Sequence, residues 1–328
     1  MGSQHVVSQG TVSLIWEFRA YQVPVKPQAP SDRELKFGLM DNCKEVLSVK
    51  GRFILVAAGI LLSIGMMAWV GGASADQPTP EYYLALGDSV AAGQGASGPD
   101  RFGYVGLFRR FFRVDHEGKE HFANLAVPGE TSFTFFEDQM ARALETINDS
   151  DTDIQVVTLT LGANDVLPLI NTGPCTPDPG SAACQLAVAT ILTTFAGNYL
   201  AALAQLDIAL AQDPGESRVL VTTYYNPFDG TGHPLEDPAD TALLGSDGAI
   251  DCAANPGDPA RVGLNDIIAC FGGLVGAEIV DIYPLFNDAA PALTHIAEGD
   301  VHPNNEGHQA IADAVIATYK GGKPSTEP

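Results

Sequence analysis

Ser89 is the first residue here with the setting of a nucleophile. It ends the apolar run Tyr83-Leu84-Ala85-Leu86 through the turn Gly87-Asp88-Ser89, and small residues follow. A serine on a tight turn leaving a buried strand keeps its hydroxyl exposed at the sheet edge, ready for attack. The surrounding residues do not spell Gly-x-Ser-x-Gly, so the elbow of the α/β-hydrolases is not the match. Gly, Asp and Ser are also ordinary turn formers, so the turn needs partners elsewhere in the chain. Acyl transfer requires a base for the serine proton and donors aimed at the developing oxyanion. Three later segments offer them: Val127-Pro128-Gly129 after a second apolar run, Gly162-Ala163-Asn164-Asp165 after a third, and Asp300-Val301-His302-Pro303-Asn304 near the C-terminus.

Ser, Gly, Asn and His in this order resemble the four blocks of the SGNH hydrolases, also called GDSL esterases and lipases. The resemblance runs from about Glu81 to Tyr319. It implies Ser89 as nucleophile, His302 as base, and an oxyanion hole of the Ser89 and Gly129 N–H groups with the Asn164 amide. The residue types suit those roles. Glycine admits a ligand close to backbone, and an asparagine amide donates without carrying charge. The family usually has an aspartate three residues before the histidine, where this chain has Gly299. Asp300, two before, is therefore the candidate for orienting His302, with a backbone carbonyl as the alternative. Asp88 and Asp165 are expected to bond locally and hold their turns. His308, on the last expected helix, is expected to be structural.

The elements that must carry these residues alternate. Apolar strands are expected at 82–87, 121–127, 154–161, 218–225 and 277–283, and helices at 103–113, 134–149, 184–212, 260–274 and 304–320. Continuous apolar strands fit a parallel sheet covered on both faces, and the alternation argues for one three-layer α/β/α sandwich. The resemblance implies a flavodoxin-like sheet of five parallel strands. Loops are expected at 171–183 and at 226–259, both rich in Gly and Pro and both after strand ends, where open α/β sheets bind ligands. Tyr224, Tyr225, Asn226 and Phe228 stand at one such end and suit either a sugar or an acyl chain. Gly93-x-Gly95-x-x-Gly98 has the spacing of a dinucleotide loop, but it follows the serine turn and lacks the acidic residue on a second strand.

Residues 50–75 read as a secretory signal: Lys50 and Arg52, an uncharged run from Phe53 to Val70, then Ala73-Ser74-Ala75. The run 53–70 is also at the lower limit for a membrane anchor, which is the alternative. Residues 1–49 form an extension that does not belong ahead of a signal, and Met40 or Val49 makes a more natural start. The hydrolase domain is expected over 80–320, with a tail at 321–328. Beyond the signal lie Cys175, Cys184, Cys252 and Cys270. An even number in an exported chain suggests disulfides. Local pairing, Cys175–Cys184 and Cys252–Cys270, is one of three connectivities, and the spacing is unlike that of a zinc site.

With a formal charge of −23 and a pI near 4.4, the chain repels phosphate backbones and anionic lipid, which argues against nucleic-acid binding. The expectation is a secreted serine esterase or lipase acting on small-molecule, lipid or acetylated-sugar esters. No cofactor, metal or stable protein partner is implied. A carbohydrate O-deacetylase of the same fold and a non-catalytic cell-surface binding domain are the alternatives.

Overall fold

β1, Glu81–Gly87, is the axis of the molecule. From Tyr83 to Gly87 every residue is buried, because the strand has neighbours on both edges and helices on both faces. A computed structural model describes residues 81–322 except 119, 151, 172, 176–177, 214 and 251–261. The expected extension, the signal at 50–75, Cys252 and the last six residues of the tail lie outside the described residues.

After β1 come α1 (Tyr104–Asp115), β2 (His121–Asn124), α2 (Gln139–Ile147), β3 (Asp153–Thr160), α3 (Ala163–Asn171), α4 (Ala182–Leu210), β4 (Arg218–Thr222), α5 (Glu236–Leu244), α6 (Leu264–Leu274) and β5 (Glu278–Val280). The strand order is β2-β1-β3-β4-β5 with every pair parallel. This is the five-stranded flavodoxin-like sheet. The chain ends in a small antiparallel pair, β6 (Thr294–His295) and β7 (Asp300–Pro303), followed by α7 (Asn305–Gly322).

The period of two along β1 divides the core. Leu84 and Leu86 join Ile154, Val157 and Leu159 beneath α2, α4 and α6. Tyr83 and Ala85 face the other way, against Phe108 and Phe112 of α1 and Ile311, Val315 and Tyr319 of α7. Tyr83 meets Phe108 edge-on, with ring centroids 5.0 Å apart, and its hydroxyl lies 2.9 Å from Thr158 Oγ1. A fully buried side chain of this size contributes roughly 1.5–3 kcal/mol, and the hydroxyl pair keeps its polar end from being stranded.

All five expected strands form, although four end early, β3 by one residue and β2, β4 and β5 by three. Past Asn124 the chain still follows β1, with the Leu125 and Val127 N–H groups donating to Ala85 and Gly87 carbonyls at 2.8 and 2.9 Å. The helix expected over 134–149 breaks into Thr134–Glu137 and α2. Gln139, at the break, turns its side chain inward toward Gly87. Two helices of nine residues were not expected. α3 contains Pro168, and α5 lies inside the stretch read as a loop from 226 to 259.

Cys175 and Cys184 are disulfide-bonded, and the bridge joins the 171–183 loop to the first turn of α4. Cys270 is also disulfide-bonded, but its expected partner, Cys252, lies outside the described residues. α4 is long and apolar enough to cross a membrane. Leu192, Phe195, Tyr199, Leu203 and Leu206 on it are nonetheless core residues of this domain.

Candidate active site

The turn after β1 is pinned from three directions. Asp88 N–H donates to the Thr160 carbonyl at 2.9 Å, so the pairing with β3 continues past the end of the strand. The Gln139 amide accepts from Gly87 N–H at 2.6 Å and donates to the Gly87 carbonyl at 2.8 Å. It also reaches Glu130 Oε2 at 2.7 Å. Gly87 is required here. Its φ is +133°, and a Cβ would stand 2.1 Å from the Thr160 carbonyl oxygen. Beyond it the chain turns helically, with Gln94 N–H bonded to the Ser89 carbonyl at 2.9 Å. Ser89 is left 7% exposed.

Asp88 does bond locally, accepting from Val90 N–H at 2.9 Å. Its other oxygen accepts from the Tyr224 hydroxyl, beyond the end of β4. Burial raises the Asp88 carboxyl to about 6, an effect that hydrogen bonds from Tyr224 and Val90 partly offset. Tyr224 is itself clamped by Asn265, whose amide accepts from its N–H at 2.7 Å and donates to its carbonyl at 2.8 Å.

His302 arrives from the opposite end of the sequence on β7. Gly299, the position where the resemblance would have an aspartate, is the left-handed turn residue of this pair, at φ +80°. The hairpin docks on the loop after Ser89. The Gly95 carbonyl lies 2.9 Å from His295 Nε2, and Ser97 N–H donates to Asn305 Oδ1 at 2.9 Å. The glycines at 93–98 thus seat the hairpin. His302 Nε2 lies 2.8 Å from Ser89 Oγ. Its Nδ1 meets the Asp300 carboxylate, which also accepts from His302 N–H at 3.1 Å. Burial alone would raise the Asp300 carboxyl, but the hydrogen bonds from His302 bring it below its ordinary value. Tyr225 steadies the hairpin through its hydroxyl, which donates to the Val301 carbonyl at 2.8 Å.

Asn164 opens α3 at the end of β3. Its amide donates to the Glu130 carbonyl at 2.9 Å, so it bridges to the turn that holds Gly129. Gly129 sits exposed in that turn at φ +83°, with open space where a side chain would project. Among the described residues, the N–H groups of Ser89 and Gly129 have no protein acceptor. Asp165 departs from expectation. It accepts from both Ser132 N–H, at 2.9 Å, and Ser132 Oγ, at 2.6 Å, and so ties α3 to the β2 loop. His308 is fully buried on α7 as a structural residue. Its Nδ1 accepts from Tyr104 N–H at 3.3 Å and its Nε2 faces the Gln94 carbonyl at 2.9 Å. Burial lowers it to about 4.

Sequence reasoning gave no role to Glu130, which follows Gly129 in a recognised segment, and missed Gln139, which is 52 residues from Gly87 and stands in no motif. It also missed a cavity of about 110 Å³ whose lining includes Ser89, Asn164 and His302, and whose remaining walls are mostly apolar. Gly129 is not among its lining residues. No group of His, Cys, Asp and Glu among the described residues is arranged to hold a metal ion.

A hydroxyl, an imidazole and a carboxylate in line can pass a proton from oxygen to nitrogen while the carboxylate stabilises the imidazolium. Comparison with known proteins identifies the family. The profile of the GDSL-like lipase/acylhydrolase family matches residues 85–310. The lipase Lip_vut3 from a goat rumen metagenome superposes with a TM-score of 0.50 at 19% identity, over 75% of this chain and 99% of that one. It shares the fold. The extracellular lipase of Streptomyces rimosus gives 0.47 at 19% identity, over 72% and 99% of the two chains. Axe2, an acetylxylan esterase of Geobacillus stearothermophilus, gives 0.46 at 16%, over 75% and 96%. Comparison of the sequence with curated proteins finds no match. With a profile match over most of its length, four motif residues in the family's order and this α/β/α fold, the chain belongs to the GDSL-like lipase/acylhydrolase family and is an ester-bond hydrolase.

Proposed function

We propose that this chain is a secreted serine esterase that cleaves carboxylic esters through an acyl-enzyme on Ser89. The observation that carries the reading is the 2.8 Å contact between Ser89 Oγ and His302 Nε2, with Asp300 on the other ring nitrogen. His302 takes the Ser89 proton as the oxygen attacks the ester carbonyl. The tetrahedral oxyanion is held by the Ser89 and Gly129 N–H groups and the Asn164 amide, whose second N–H remains after the bond to Glu130. His302 then protonates the leaving alcohol, and the acyl group stays on Ser89. Water, deprotonated by the same imidazole, releases the acid and restores the serine. Asp300 fixes the tautomer and stabilises the imidazolium.

Export is supported by the Cys175–Cys184 disulfide, since such bonds persist in oxidising compartments. The proposed domain plan keeps residues 50–75 as a cleaved signal, with 80–320 as the hydrolase domain. Mass spectrometry of the exported protein tests the plan. An N-terminus near Asp76 is expected, and retention of residues 53–70 would favour an anchor.

A fluorophosphonate probe tests the chemistry. It should label Ser89 alone, and labelling that persists in Ser89→Ala would overturn the assignment.

A further inference from the structure

The apolar cavity beside Ser89 has a composition that the proposed chemistry leaves unexplained. α3 presents Val166 and Leu167 to it immediately after Asn164. α5 contributes Ala239, Ala242 and Leu243, and Phe228 adds a wall from the loop after β4. Positions 239, 242 and 243 share one face of α5, at the spacing that stacks side chains on a helix. Two of the three are alanines, and the cavity exists because they are small. Ala239 is 3% and Ala242 6% exposed, so their methyl groups point inward.

Only one part of an ester suits such a compartment. The alcohol must leave, and water must then approach Ser89 and His302. The acyl group remains bonded to Ser89 through both halves of the reaction. A partly open apolar pocket lined by Ser89 and by Asn164 therefore fits the acyl chain. Resting on the reading of Ser89 as nucleophile, we infer that this cavity is the acyl seat, and that the alanine face of α5 makes the enzyme selective for short acyl groups longer than acetyl. Its volume sets the length. A dry apolar cavity of about 150 Å³ accepts a guest the size of benzene, so one of about 110 Å³ holds a tail of roughly three to five carbons beyond the carbonyl. An acetyl group leaves most of it unfilled, and a fatty chain overruns it.

Initial rates on p-nitrophenyl acetate, butanoate, hexanoate and dodecanoate, beside acetate release from acetylated xylan, test the inference. Each added methylene that enters the cavity should raise kcat/KM about fourfold, with a maximum at butanoate or hexanoate and a fall at dodecanoate. In Ala242→Phe the hexanoate-to-acetate ratio of kcat/KM should drop at least tenfold. Leu167→Ala, a truncation that adds no bulk, should move the maximum toward longer chains and carries the test if Ala242→Phe does not fold. Acetate as the best wild-type ester, or acetyl release from xylan outpacing butanoate cleavage, would overturn the inference. So would an unchanged chain-length profile in the folded variants. Ser89→Ala separates the two levels. Turnover that survives it sinks the nucleophile reading and this inference together. A dead Ser89→Ala with a flat chain-length profile sinks this inference alone.

Discussion

The 2.8 Å contact between Ser89 and His302 joins two regions built on different principles. On the serine side, the turn has local bonds and also restraints from three distant elements: Thr160 on β3, Gln139 on α2 and Tyr224 after β4. All of these groups are buried, and the backbone of the central strand continues into the turn. On the histidine side, the ring is oriented by a carboxylate two residues away, on a strand of four residues, and that carboxylate is 44% exposed. The proposed nucleophile is thus positioned by the whole fold, and the proposed base by a local hairpin resting on the Gly95 loop. Changes on the histidine side should cost activity with little loss of stability. Changes among the buried groups around the serine should register in stability as well.

His302→Ala removes the proposed base outright and should lower kcat by about 10⁴-fold or more, as for members of comparable triads, with circular dichroism unchanged. A milder loss would mean that another group takes the serine proton. Asp300→Asn comes next. A buried triad acid is worth about 10⁴ in kcat, and this one competes with water, so a loss nearer 10²-fold is expected, at the lower end for general acid–base effects. Loss below tenfold would leave Ser89 and His302 as a dyad. Asn164→Ala should reduce kcat by about 10²–10³ with little change in KM, because its donor acts mainly when charge develops on the oxyanion. A rise in KM at constant kcat would assign Asn164 to ground-state binding.

The smallest effect concerns Asp88 and appears in stability. Its carboxyl titrates near 6 in the folded chain, against an ordinary value of 3.8. Across that interval the folded state binds the extra proton, so this residue's contribution to stability falls as pH rises. His308 has the opposite sign. Titrating near 4 when folded and 6.5 ordinarily, it costs stability as pH falls from 6.5 toward 4. Urea midpoints between pH 4 and 6.5 should therefore rise more steeply with pH in Asp88→Asn than in the parent, since only the His308 slope remains of this pair. Parallel pH profiles for the two proteins would show that Asp88 does not titrate in that window.

The same contrast explains what could be read from sequence. β1 and β3 are buried on both faces, so they spell out as continuous apolar runs. The residues that follow β1, β2 and β3 fall in recognisable turns, and Ser89, Gly129 and Asn164 could be picked out before any coordinates. The hairpin was legible only through the short segment around His302, because a strand of two residues leaves no period to detect. α3 was hidden by Pro168. α5 was hidden by Pro238 and by the Gly- and Asp-rich residues on either side, which carry the signals of a loop. The links from Asp165 to Ser132 and from Gln139 to the Gly87 backbone join separate elements, and no local pattern encodes them. The cavity depends on alanines, whose value is the space they leave, and sequence shows no such space.

The separation of 213 residues between Ser89 and His302 also has a consequence in time. A chain that emerges from the ribosome or a translocon N-terminus first carries its serine early and its base late. With His302 as the proposed base, the serine has no proton acceptor until the final hairpin settles on the Gly95 loop, and the nascent enzyme should be chemically silent. On that reading hydrolysis switches on at a single late step, so a molecule cut short before β7 should be inert rather than a stray esterase.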